Sequence, residues 1–117
     1  MLRFARFLLV LPLLAPAVAC IATQPTVEEA IDQFGPVACD RLAACNKTGF
    51  TATYPNGQSQ CVAKMKDAVK AQFGNDAMSK LDACTQSELD RCTADIRGAE
   101  CSAFSDTSKL PDSCKKC

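Results

Sequence analysis

Nine cysteines in a chain of 117 residues are the side chains with the most chemistry to offer. Thiols ligate metals, carry electrons or form bridges, and their spacing separates these uses. A zinc site of four cysteines ordinarily shows two C-x2-C knuckles, and here only Cys114 and Cys117 have that spacing. The chain has no His, which excludes mixed Cys/His sites and C-x-x-C-H haem attachment. Cys114-Lys-Lys-Cys117 lacks the βαβ surroundings of a thioredoxin-like redox pair, although two lysines lower a thiol pKa. Acid–base work would fall to Asp, Glu, Lys or Tyr54. Glu88 with Asp90, and Asp95 with Glu100, are the nearest carboxylate pairs, and both read as solvated helix surface. No G-x-S-x-G, Gly-rich phosphate loop or H-E-x-x-H occurs. The residues thus predict no catalytic centre, no cofactor and no metal; Asn46-Lys-Thr48 matches the glycosylation sequon.

Disulfides are the remaining use for so many thiols, and the N-terminus points the same way. Arg3 and Arg6, an apolar stretch from Phe7 to Leu14, and the small residues Ala15, Ala17, Val18 and Ala19 make residues 1–19 an export signal. The stretch is shorter than the roughly 20 residues a membrane span needs, and Pro12 and Pro16 interrupt it. Of the 98 residues that follow, only 15 are Leu, Ile, Val or Phe, below the roughly 20 per cent of folded domains. All nine cysteines lie among them. A small apolar core supplemented by bridges, each worth about 2–4 kcal/mol, is therefore expected. Without Arg3 and Arg6 the balance is 11 basic against 13 acidic residues, so no nucleic-acid partner is indicated.

The elements follow from periodicity and caps. Thr26-Val-Glu-Glu29 is a capping box, and Val27, Ala30, Ile31 and Phe34 form one apolar stripe behind it. Gly35-Pro36 predicts a kink or a restart, with Cys39, Leu42 and Cys45 facing inward in the second half. Residues 46–58 read as a loop, with Gly49, Pro55 and the Asn56-Gly57 turn signal, and with Phe50 and Tyr54 folded back on the domain. Gln60 to Phe73 is amphipathic: Cys61, Val62, Met65, Ala68, Val69 and Phe73 share a face, and Gly74 ends it. Lys64, Lys66 and Lys70 lie on the other faces; Asp67 among them favours a solvated surface over a contact with anionic headgroups. A short helix is expected from Asp76 through Met78 and Leu81. Thr85-Gln-Ser-Glu88 opens another, with Leu89, Cys92 and Ile96 inward and Gly98 as its stop. No segment alternates with period two. The predicted fold is all-α, a disulfide-stapled bundle of three to four helices over residues 26–117.

Bridged Cα atoms lie within about 7 Å, and a helix rises 1.5 Å per residue. Cys39 and Cys45, about 9 Å apart along a helix, and Cys84 and Cys92, about 12 Å apart, should therefore bridge to other elements. Cys45 with Cys61 is the best local pairing expected, then Cys114 with Cys117; Cys39 is expected to reach the last helix. Cys101 completes the eight candidates, for which 105 connectivities are possible.

Ala17-Val18-Ala19-Cys20 resembles the lipobox of bacterial lipoproteins, whose Cys receives a diacylglyceryl thioether and becomes the N-terminus. Ala17 stands where Leu is commoner, and Ala17-Val18-Ala19 equally suits ordinary signal peptidase. Parity favours the lipid, since diverting Cys20 leaves eight thiols for four bridges. Residues 20–25 would then be the anchor Cys and a short linker. The chain also resembles the small cysteine-rich lipoproteins of myxobacteria in its leader ending at Cys20, Cys39-x5-Cys45, Cys84-x7-Cys92-x8-Cys101 and Leu-Pro-x-x-Cys from Leu110 to Cys114. It lacks the Cys-Cys and Cys-x-Cys pairs of plant lipid-transfer proteins. The resemblance implies an exported, lipid-anchored envelope protein, attached to the membrane through Cys20, that binds or supports an envelope partner and is not an enzyme. A secreted effector or inhibitor, and a redox protein using Cys114 and Cys117, are the alternatives.

Overall fold

The computed structural model describes residues 24–74 and 84–117. The leader, Cys20, the linker up to position 23 and the short helix expected from Asp76 lie outside the described residues.

Helix α1 spans Val27–Cys45. Thr26 opens it with the expected box: its hydroxyl accepts from the Glu29 N–H at 3.1 Å, and its own N–H donates to Glu29 Oε2 at 2.8 Å. The helix runs through Gly35 and Pro36 as one element, without the expected alternative of a restart. Pro36 removes the bond its missing N–H would make and crowds the carbonyl of Asp32, and packing of α1 on both α3 and α4 holds the turns on either side. Gly35 is buried against Val62, whose methyls would lie 3.4–3.5 Å from an added Cβ.

The expected loop contains a second helix, α2, at Lys47–Thr53. Asn46 caps it, its Oδ1 accepting from the Gly49 N–H at 2.9 Å. The Thr51 and Thr53 hydroxyls donate to the carbonyls four residues earlier. Phe50 and Tyr54 pack as a tilted ring pair 5.0 Å apart. Gly57, at φ +77°, then turns the chain into α3 (Gln58–Phe73), which begins two residues earlier than its periodicity indicates. Gly74 closes α3 at φ +59°, in the left-handed region where glycine carries no penalty.

Helix α4 spans Gln86–Arg97 behind the second capping box. Thr85 Oγ1 accepts from the Glu88 N–H at 3.2 Å, and the Thr85 N–H donates to Glu88 Oε2 at 3.0 Å. Three short 3-10 turns follow, Cys101–Phe104, Thr107–Lys109 and Asp112–Cys114. Among the described residues there is no strand, and no helix is long and apolar enough to cross a membrane.

The fold is thus all-α, with four helices among the described residues around a core of small side chains. Ala38, Cys92, Ile96, Ala99 and Ala103 form one buried cluster, and Ala30, Cys84 and Leu89 a second, with Phe34 packed against both. Ile96, Cys39, Cys61 and Cys84 are the largest fully buried side chains. Cystine sulfur occupies space that Leu or Phe fills in larger domains. Helix α1 is the shared wall: α3 and α4 each pack on it, yet no residue of α3 brings its Cα within 8 Å of one in α4.

Candidate functional site

All eight cysteines from position 39 onward are bridged, and the partners differ from those expected. Cys39 joins Cys61, Cys45 joins Cys101, Cys84 joins Cys117 and Cys92 joins Cys114, with Cα separations of 6.1, 5.5, 4.8 and 4.7 Å. Cys45 does not reach Cys61 because α2 carries the chain back along α1. Gln58 at the head of α3 donates to the Pro36 carbonyl at 3.2 Å and to Asp40 Oδ1 at 2.6 Å. That register sets Cys61 opposite Cys39. Cys39 in turn misses the last helix because its neighbour Ala38 faces α4, and one residue is a 100° step around α1.

Cys114 and Cys117 are not bonded to each other. The tail runs back along α4, so that Cys114 meets Cys92 and Cys117 meets Cys84. Cys92 lies within α4 and Cys84 two residues before its first turn, while Cys114 ends a 3-10 turn; the antiparallel course of the tail, which no local spacing reports, sets the pairing. A thioredoxin-type cycle needs a bridge between its two cysteines, and here each is committed elsewhere. Four bridges are compatible with an exported protein.

The charged candidates are held by structural contacts. Glu88 belongs to the capping box and pairs with Lys116 at 3.3 Å; the Thr85 N–H first and Lys116 second hold its carboxyl below the usual range. Asp90 accepts from Gln33 at 2.6 Å and from Gln86 at 2.8 Å, which lowers its pKa likewise. Gln86 also donates to Gln33 Oε1 at 2.7 Å, completing a polar clasp between α1 and α4. Asp95 accepts from the Ser113 hydroxyl at 2.6 Å, and Glu100 precedes the first 3-10 turn. The structure therefore brings neither carboxylate pair together around a shared proton. On α3, Lys66 pairs with Asp32, whose hydrogen bond raises the lysine's pKa, and the Lys64 ammonium lies 5.6 Å from the centre of the Tyr54 ring. These are contacts of a helix face within the domain.

What remains is a cleft that the sequence did not announce. It lies between α3 and α4, which come no closer than 8 Å between Cα atoms. Its back wall is the α1 stripe of Val27, Ala30, Ile31 and Phe34. Val69 and Phe73 of α3 form one side, Leu89 and Cys92 of α4 the other, and Leu110, Cys114 and Cys117 of the tail close it. Its volume is about 370 Å³, within the range of sites that enclose small ligands. Every lining side chain among the described residues is apolar or a half-cystine. Two bridges, Cys84–Cys117 and Cys92–Cys114, fix the tail that forms its edge. Phe73 stands at the rim, 49% exposed. Such a cleft can take up hydrocarbon, and its described lining carries no acid–base or nucleophilic side chain.

The model of DUF6184, a family of unknown function, matches residues 39–117, a span that contains all eight bridged cysteines. No curated protein and no solved structure matches the chain.

Proposed function

The chain belongs to the DUF6184 family, and we propose that it is an exported, lipid-anchored protein of the cell envelope whose stapled helical domain is a non-enzymatic binding or structural module. The observation that carries this reading is one of parity. Four bridges use every cysteine from Cys39 to Cys117. Of the nine, Cys20 alone is left over, at the position the lipobox resemblance assigns to the diacylglyceryl thioether. An unpaired exported thiol is open to disulfide formation and exchange, whereas a thioether, with no S–H, cannot form a disulfide. The anchor supplies the membrane partner, and the bundle faces an envelope protein. The apolar lining of the cleft suits binding of an apolar group.

A Cys20→Ser substitution in the native host tests this. The wild-type protein is expected in the membrane fraction and in the detergent phase of a detergent–water partition, and the variant in neither. The second reading, a secreted effector released by ordinary signal peptidase, is favoured by Ala17-Val18-Ala19 as an A-x-A site. It predicts that wild type and variant are equally soluble and equally free of acyl groups. That result would overturn the anchor.

A further inference from the structure

We infer that the cleft between α3 and α4 takes one acyl chain of the lipid on Cys20; the inference rests on the anchored reading above. Three observations support this occupant. The first is chemical: the described lining holds neither a cation nor a hydrogen-bond donor side chain. A free fatty acid or phospholipid would enter with no group to hold its head. A chain tethered through Cys20 needs no head-group recognition, and tethering raises its effective concentration at the cleft.

The second observation is where the chain enters. Pro25 is buried, and Val27 two residues later is part of the cleft wall. Cys20 lies five residues before Pro25, so its Cα can lie at most about 18 Å from a fixed point beside the wall. An acyl chain attached within that radius is close enough to enter the cleft.

The third is capacity. A cavity of about 370 Å³ is about two and a half times the roughly 150 Å³ that admits one benzene in an apolar site. That is room for one hydrocarbon chain and not two, so the remaining chains stay in the bilayer. The seated chain then fixes which side of the domain faces the membrane: the N-terminal end of α1 lies against the headgroups, and the opposite face is presented outward.

Photo-crosslinking from the rim tests the inference. Phe73→p-benzoylphenylalanine extends a half-exposed ring at the rim with a benzoyl group, and Phe50→p-benzoylphenylalanine on α2, outside the cleft lining, is the control. Each full-length protein is irradiated in native membranes and digested, and the Cys20 peptide is weighed first. The expected result is an intramolecular product joining the acylated Cys20 peptide to the peptide containing position 73, about tenfold or more above the yield from position 50, as tethering predicts. An acylated Cys20 peptide with position 73 joined only to phospholipid, to another protein or to nothing overturns the inference and leaves the anchor standing. A Cys20 peptide without lipid overturns both, and the mass shows which reading failed first.

Discussion

Asp90 ties two helices together through polar contacts at the surface, beside a small apolar core. Its carboxylate accepts from two glutamines on two helices, and those bonds favour the charged form. The folded pKa therefore lies below the unfolded one. The resulting stability is fully present above the ordinary carboxylate range and is lost as pH falls through the depressed folded value. A side-chain NMR titration should place the Asp90 midpoint below the ordinary 3.8, and Gln33→Ala or Gln86→Ala should raise it toward that value. A midpoint unmoved by both substitutions would show that the clasp does not form in solution. Thr85 sits at a second such point, since its hydroxyl and N–H both engage Glu88, which also holds Lys116 of the tail. Thr85→Ala should cost about 1 kcal/mol, the usual value of a lost N-cap, read as a lower midpoint in urea with an unchanged slope. The two capping boxes were legible from sequence because the motif is local: both partners lie within four residues. The Gln33–Gln86–Asp90 clasp was not, since its members are 53 and 57 residues apart.

At the scale of elements, two glycines of the same composition have opposite roles. Gly35 lies inside α1 with 3.4 Å of room before Val62, so a methyl fits at ordinary contact distance. Gly35→Ala should therefore stabilise the domain by up to about 1 kcal/mol, the helix-propensity difference. Gly49 lies in the first turn of α2, and a Cβ there would come within 2.5 Å of the Asn46 amide that caps it. Gly49→Ala should lose the cap and destabilise α2 despite the same gain in propensity. Melting temperatures of the two variants, moving in opposite directions, are the check. The long helices were readable because their apolar stripes repeat over three or more turns, and the structure places Ala30, Leu89, Cys92 and Ile96 inside as the stripes require. Helix α2 was missed because Gly49, Thr51 and Thr53 are weak helix formers. Its one sequence signal is Asn46, which also reads as a turn residue. That miss propagated: a loop would have let Cys45 reach Cys61, whereas a helix moves Cys61 to Cys39. The cleft was illegible for a related reason. Val69 and Phe73 share the stripe of Cys61, and nothing in a stripe tells whether a second helix covers its far end.

For the whole molecule, the bridges do what a larger core does elsewhere. None lies within a single helix: one joins α1 to α3, one joins α1 to the first 3-10 turn, and two hold the tail along α4. They enclose sequence separations of 22 to 56 residues, for which the chain-entropy estimate is about 3–4 kcal/mol apiece. Total stabilities of small domains are about 5–15 kcal/mol, so the sum of four bridges is comparable with the whole. Full reduction should then abolish the far-UV helical signal at 37 °C, and a Cys92→Ser/Cys114→Ser pair should lower the melting temperature and loosen the edge of the cleft. Retention of native ellipticity and melting after reduction would show that the alanine-rich core suffices alone. The measurement that bears most directly on the central claim is peptide mass spectrometry of the protein from its native host, with and without reduction. The account predicts an acylated Cys20 peptide and four unreduced bridged products, 39 with 61, 45 with 101, 84 with 117 and 92 with 114. A bridge between Cys114 and Cys117, or Cys20 found in a disulfide, would contradict it.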